Sequence, residues 1–461
     1  MEKLDVVYIA PDIGSLFGAV SLAAGGLKVL VLRDEHAPLT IKGENGTEVS
    51  LSSEPFLWRG LRTGVFLEPL LNRLKLLISA RGKVETIDPP LQVVTPEARV
   101  DLFGEDDKLL KEIRREFGPD EFRRFKTFLS VIAESFEEAY GLVGSESFPV
   151  MPLGFAEKIF RRENDISGDL REARKMTFDQ VMRNSGFNEH VRLALRAILS
   201  ALGLPGGGAL PFSVAATVFD GARRGIFRAD IEALKRLLMS TFKKRGGYTL
   251  NIRELEGVEL DRNGISALKL SKSNYLTSRL YVAAESMLAP HLPPEVAPQN
   301  GTATRIHTLL MLAREEAVPV GMRDRVAVVN RNAEPLYPEH VTRISLNREK
   351  EKTDDAKVFI KVDSVSPAGI KSIEDELWEA LRGVAPFVDD FVETSKYIVS
   401  DGTVRGNART EFYELPAACV APNLLPLECD LLAEMGLGEG IVSGRILARL
   451  VLRKLGLRAD L

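Results

Sequence analysis

Apolar and polar positions alternate along the chain in blocks whose period changes from two to three or four. Leu4-Asp5-Val6-Val7-Tyr8-Ile9-Ala10 is a short apolar run of the kind that forms a buried parallel strand. A turn at Pro11-Asp12 follows, and Gly14 to Ala24, rich in Ala and Leu, predicts a helix. Gly25-Gly26 closes that helix, because glycine takes the left-handed C-terminal conformation without a Cβ clash. Lys28-Val29-Leu30-Val31-Leu32-Arg33 predicts the second strand. Strand, turn, helix and strand within about thirty residues make a right-handed βαβ unit.

The helical period dominates from 105 to 141, where Phe122, Phe125, Leu129, Ile132 and Phe136 form one apolar stripe. With Phe128 beside them, these rings are read as packing an inter-helix core. Thr177 and Gln180 have capping-box spacing ahead of a helix, and a further helix runs from Val191 to Leu202. Gly206-Gly207-Gly208 reads as an interhelical loop before a helix from Pro211 to Ala222, since no Gly-Lys-Ser/Thr follows it. After a helix over 230–245, strands are expected at 248–252, 257–260, 266–271 and 279–284. Turns at Arg262-Asn263-Gly264 and Lys272-Ser273-Asn274 would join them into an antiparallel meander. Later strands are expected at 326–330, 343–346 and 357–362, with helices at 372–382 and 439–455.

Composition adds bounds. The 461 residues exceed the ~250–300 at which a single core stops growing, so at least two domains are expected. With 61 Lys+Arg against 65 Asp+Glu, the net charge of −4 gives no reason to expect nucleic acid. Arg223-Arg224 and Lys243-Lys244-Arg245 are read as solvated helix faces. Two cysteines, Cys419 and Cys429, cannot build a disulfide framework, and no metal-ligand spacing occurs. Cys429 stands between Glu428 and Asp430, which would raise rather than lower its thiol pKa. The first residues lack a basic then apolar leader, and Ile13 to Leu27 falls short of the ~20 apolar residues of a membrane span. A cytoplasmic protein without a transmembrane segment is expected. His36, His190, His291, His307 and His340 are scattered and read as surface or satisfied core groups. Hydrolase, metalloprotease and phosphate-loop motifs are missing from the sequence.

The order of elements resembles the phytoene-desaturase and amine-oxidase superfamily of FAD-dependent oxidoreductases, which also contains the non-enzymatic Rab GDP-dissociation inhibitors. Leu4 to Leu32 resembles its first βαβ unit, Pro90 to Phe103 its substrate segment, and Glu439-Gly-Ile-Val-Ser-Gly-Arg445 its closing flavin motif. The resemblance implies an α/β fold. A Rossmann-like FAD/NAD(P)-binding fold of glutathione-reductase type, with a parallel sheet plus β-meander, is interleaved with an α+β substrate-type domain. Residues 1–75, 225–290 and 400–461 would form the first, and 76–224 and 291–399 the second.

Relatives that bind FAD carry Gly-x-Gly-x-x-Gly in the first turn. Here Ala10, Asp12 and Ser15 stand at the three glycines, with Gly14 between the last two. Asp12 places a side chain and a charge where the backbone should approach a pyrophosphate. Like charges ~4 Å apart at an effective dielectric of ~20 repel by about 4 kcal/mol. Its carboxylate can instead cap the helix that starts near Ile13. The second strand ends in Arg33 rather than the ribose-binding acid, and Asp34 follows one residue late. An Arg there can serve the 2′-phosphate of NADP, provided that the glycine turn works. Pro38 to Gly43 replaces a Gly-Gly-Arg segment, Phe227-Arg228-Ala229-Asp230 replaces Pro-Arg-Gly-Gly, and Pro426 and Glu428 stand in the strand that should end in Gly-Asp. The family's cofactor positions are thus Ala10, Asp12, Gly14, Ser15, Arg33, Glu428, Ser443, Gly444 and Arg445, expected to be vestigial. No catalytic or metal-binding residue is assigned. The expectation is a non-catalytic pseudo-flavoprotein without cofactor that binds a hydrophobic or isoprenoid-like small molecule or a protein partner, with peripheral membrane contact open to it. The alternative is an FAD-dependent oxidoreductase that takes hydride from an apolar substrate.

Overall fold

The computed structural model describes residues 4–11, 13–33, 39–42, 48–51, 57–59, 72–76, 84–144, 167–202, 207–224, 226–229, 231–262, 264–283, 288, 291, 302–329, 341–348, 356–367, 370–404, 423–426 and 437–458. The opening run forms β1 (Leu4–Ile9), α1 (Ile13–Ala24) and β2 (Val29–Arg33). β10 (Tyr248–Asn251), β14 (Ser278–Ala283) and β20 (Leu424–Pro426) join them in one parallel sheet of order β10-β2-β1-β14-β20. Alternate side chains divide its faces. Val6, Tyr8, Val29, Val31 and Val282 pack under α1, α8 (Ile231–Lys244) and α10 (Leu437–Lys454). Val7, Ile9, Leu30, Leu32 and Tyr281 pack on a three-stranded antiparallel sheet, β11 (Leu255–Asp261), β12 (Gly264–Leu270) and β13 (Asn274–Leu276). Asn423, just before β20, ties that meander down, its amide bonding both the N–H and the C=O of Ile265 at 2.8 Å.

Two expectations change here. The strands at 248–251 and 278–283 belong to the parallel sheet and not to the meander, whose third strand is the 274–276 segment read as a turn. Tyr248–Asn251 is short and follows α8 directly, so it returns as the crossover strand beside β2. The helical stretch from 105 is also two helices, α2 (Asp106–Phe117) and α3 (Pro119–Gly144). Gly118, with φ 88°, separates them, and Pro119 opens the second at the position where a missing N–H costs nothing.

Between α3 and Ile226 the described residues form α4 (Gly168–Ala173), α5 (Phe178–Asn184), α6 (Glu189–Ala201) and α7 (Phe212–Arg224). Thr177 and Gln180 make the reciprocal capping box ahead of α5. Phe125 and Phe128 of α3 are buried among Phe178, Phe187 and Phe212, with Phe128 and Phe187 edge-to-face at 5.2 Å. These phenylalanines fill core, as their spacing implied. Arg223 departs from expectation. It is no solvated residue: it is 1% exposed on α7, donates to Asp220 at 3.0 Å and to the Gly104 carbonyl at 2.7 Å, and pairs with Asp106 at 2.7 Å. It therefore fastens α7 to the start of α2. Lys243, Lys244 and Arg245 are exposed, as read.

The second large sheet has seven strands in the order β19-β15-β18-β17-β16-β7-β8. They are β7 (Leu91–Val94), β8 (Arg99–Leu102), β15 (Thr302–Arg314), β16 (Arg325–Val329), β17 (Val341–Arg348), β18 (Lys357–Pro367) and β19 (Val392–Val404). The 13-residue strands β15 and β19 are absent from the sequence reading. In β15 the apolar run Leu309–Ala313 does not alternate because it is buried on both faces; β19 is an edge strand whose described residues are exposed or half-buried, and its mixed pattern gives no clear alternation. One face carries α9 (Glu374–Val384) over Leu309, Met311, Ile360 and Val362. On that face His307 is fully buried, its Nδ1 2.6 Å from the Tyr397 hydroxyl and its Nε2 2.7 Å from the Ser366 hydroxyl, a satisfied core histidine. The opposite, inner face packs against the helices at its β7–β16 end. At the other end it meets β3 (Leu39–Lys42), the first strand of a hairpin with β4 (Glu48–Leu51), through Ile41. A small sheet of β5 (Leu57–Arg59), β6 (Val84–Thr86) and β9 (Ile226–Ala229) completes the strands of the described residues.

Candidate functional site

The crevice beyond the carboxyl ends of parallel strands is where α/β sheets of this kind place a ligand. The turn after β1 lies there. Ala10 takes φ 47°, a left-handed conformation that suits glycine, and its N–H donates to the Leu32 carbonyl at 2.9 Å. Turn geometry that glycine would adopt freely is thus held by an alanine. Gly14 and Ser15 lie in the first turn of α1, both buried. Asp12, and with it the proposed cap, lies outside the described residues, as do Asp34, Glu428 and both cysteines.

Beneath the turn α1 and α10 cross with their backbones in contact. A Cβ on Gly18 would stand 2.5 Å from the Gly444 carbonyl oxygen and 3.3 Å from the Tyr8 hydroxyl. A Cβ on Gly444 would collide with the Gly14 carbonyl. Gly18 and Gly444 are therefore at these positions for a steric reason, which the spacing in sequence did not disclose for Gly18. Ser443 is helical beside Gly444, and Arg445 is half-buried. Tyr8, which the sequence reading passed over, fills the space between sheet and crossing. It is fully buried, its hydroxyl bonds none of the described residues, and burial pushes the phenol far above its ordinary pKa.

Arg33 ends β2, half-buried, opposite Asn251 of β10. The Asn251 side chain is turned to its own loop, where it accepts from the Arg253 N–H at 2.9 Å. The structure so brings Gly14 and Gly444 together at one helix crossing, with Ala10 in the turn before α1 and Ser15 in its first turn, and sets Arg33 at the end of the neighbouring strand. Among the described residues no group of three His, Cys, Asp or Glu side chains could hold a metal ion, and no helix is long and apolar enough to cross a membrane.

A parallel sheet flanked by helices and a meander, joined to a long mixed sheet, is the fold of the superfamily that the sequence resembles, shared by FAD-dependent oxidoreductases and Rab GDIs. The chain is similar over 96% of its length to an oxidoreductase from Methanosarcina mazei, covering 99% of it at 13% identity with a TM-score of 0.57. It is similar to cyclohexylamine oxidase from Brevibacterium oxydans, with 98% and 100% of the two chains covered, 14% identity and a TM-score of 0.56. The Rab GDI of Plasmodium falciparum matches over 92% of both chains at 10% identity and a TM-score of 0.53. At such identities the likeness speaks for fold. No protein-family model matches the sequence, and no curated protein matches it either.

Proposed function

We propose that this chain is a non-catalytic member of the flavoprotein-fold superfamily, cytoplasmic, which keeps the scaffold and acts by binding an apolar or isoprenoid-like ligand or a protein partner. The observation that carries the reading is Arg33. A guanidinium at the end of β2 stands where a ribose-binding carboxylate would serve FAD, next to a turn whose glycine positions read Ala10, Asp12 and Ser15. A side chain at each of these positions works against close approach of a dinucleotide. Rab GDI, a structural neighbour whose name denotes action on a protein rather than a redox reaction, supports the same reading by analogy of fold alone. The division near residues 75, 225, 290 and 400 into a dinucleotide-type and a substrate-type part belongs to this proposal.

A second reading is favoured by the backbone. Ala10 holds the left-handed turn, and Gly18 and Gly444 hold the helix crossing, so the cradle's shape is retained even though its side chains differ. In that reading FAD would accept hydride, and this chain would supply position and a dry surface. Thermal unfolding with added FAD separates the two. The binding reading expects an unchanged Tm; a rise that saturates with FAD would replace it with the second, since a specific ligand raises apparent stability. If the wild type is unmoved, the double variant Asp12→Gly with Arg33→Glu is expected to gain a shift.

A further inference from the structure

The helices α1, α8 and α10 finish at one edge of the parallel sheet. α1 and α8 lead directly into β2 and β10, so their C-terminal ends lie where those strands begin. α10 ends there too, since Arg279 at the head of β14 donates to the Leu455 carbonyl at 3.5 Å. β1 and β14 start level, with Leu4 opposite Ser278, and the Lys28 N–H at the head of β2 donates to the Asp5 carboxylate at 2.9 Å. With strands ~4.8 Å apart, the heads of β10, β2, β1 and β14 span about 15 Å. The amino edge of the sheet thus gathers three helix C-termini and four strand starts.

That edge is basic. Lys243 and Lys244 end α8, Arg245 follows them and Arg458 follows α10; all four are exposed, and none makes an ion pair with the described residues. Asp5 is the one carboxylate among the described residues at 4–5, 24–28, 241–248, 278–279 and 451–458, and it stands 3.6 Å from the Arg279 guanidinium. A chain of net charge −4 therefore carries a local excess of cations here. Complementing the helix dipole accounts for Lys243 and Lys244 in the last turn of α8, where a cation is favourable. It does not account for Arg245 and Arg458, which lie past their helices, nor for the apolar groups beside them. Tyr248, at the head of β10, is 52% exposed, and Leu457, next to Arg458, is 47% exposed.

We propose that this edge docks on an anionic lipid surface, with Lys243, Lys244, Arg245 and Arg458 against the headgroups and Tyr248 and Leu457 entering the interface. Cations interleaved with an amphipathic ring and an aliphatic tip are what a reversible peripheral contact requires. A nucleic acid would use the cations and stack on Tyr248, but offers nothing to the Leu457 side chain, whereas a bilayer serves all of them. Docked by its amino edge, the sheet turns the crevice beyond its carboxyl ends, with Ala10 and Arg33, away from the lipid. The proposal goes beyond the ligand-binding reading and stands whether or not the fold holds flavin.

The test is sedimentation of the full chain with two kinds of vesicle, phosphatidylcholine alone and phosphatidylcholine with about one third phosphatidylserine, whose surface potential is worth about fivefold in affinity per nearby cation. Binding is expected to the second kind only, and is expected to fall as salt is raised. The combined change Lys243→Gln, Lys244→Gln and Arg245→Gln, at exposed positions, is expected to weaken it about a hundredfold while leaving Tm unchanged. Leu457→Ser, with every charge intact, is expected to weaken it about fivefold. Sedimentation with neither vesicle, equal binding to both, or a triple variant of wild-type Tm that binds like the wild type would each overturn the proposal. So would tighter binding to a DNA duplex that Leu457→Ser leaves unmoved, which would assign the edge to nucleic acid.

Discussion

At the crossing of α1 and α10, Gly18 and Gly444 bring two helix backbones together, Gly444 against the Gly14 carbonyl, while on the inner face of the seven-stranded sheet four charged side chains share one patch. The first region is specified by the absence of atoms: any added carbon meets a carbonyl oxygen. The second is specified by charge: Arg343 binds Asp363, Lys361 stands 3.6 Å from it, and Arg325 donates to the Ala201 carbonyl. Buried charge alone does not mark a binding surface. Arg223 is more deeply buried than either Arg343 or Lys361, yet Asp220, Asp106 and the Gly104 carbonyl engage it. What separates the sheet face from that bolt is access, since Arg343 is 26% exposed and Arg223 is enclosed.

Four changes sharpen this contrast, from the largest effect down. Arg223→Met leaves the Asp220 carboxylate buried without its partner and should cost about 3–5 kcal/mol in denaturant unfolding. Gly444→Ala forces α1 and α10 apart and should cost about 3 kcal/mol, whereas a cost near zero would show that the crossing is looser than described. Asp363 supplies a pH signature. Its folded pKa is depressed, so its contribution is present above the unfolded value of about 4 and is lost as pH falls below that through the folded pKa. Comparing Tm of wild type and Asp363→Asn from pH 6 to pH 2 should show the two converging at the acid end; parallel curves would mean that Asp363 is not held by the cations. The smallest effect is expected of Ala10→Gly. Relief of the left-handed alanine, about 1–2 kcal/mol, is partly offset by glycine's greater freedom in the unfolded chain, leaving a gain of about 1 kcal/mol or less.

The opening βαβ unit, the capping box at Thr177 and the helices were legible because local chemistry decides them: an uninterrupted apolar run, a Thr with Gln three residues on, a stripe of phenylalanines. The partners of Tyr248–Asn251 and Ser278–Ala283 were not legible, since a four- to six-residue strand looks the same whichever neighbour it pairs with. β15 escaped because a strand covered on both faces loses its alternation, and β19 because an exposed edge strand carries no continuous apolar face. At the candidate site the sequence picked out Ala10, Gly14, Ser15, Arg33 and Gly444, but not Tyr8 or Gly18, whose importance lies in what crosses above them. The grouping of Arg325, Arg343, Lys361 and Asp363 depends on register across three strands, which no local pattern encodes.

The central claim, a flavoprotein scaffold used for binding, is tested most directly by the flavin content of the protein as purified. The chain is expressed with riboflavin supplied, purified without chelation or unfolding, then denatured, and the supernatant is assayed for flavin by absorbance and fluorescence. The account predicts a colourless protein that releases far less than one flavin per chain. Release of FAD approaching one per chain would contradict it and make the retained turn at Ala10 a working cofactor cradle.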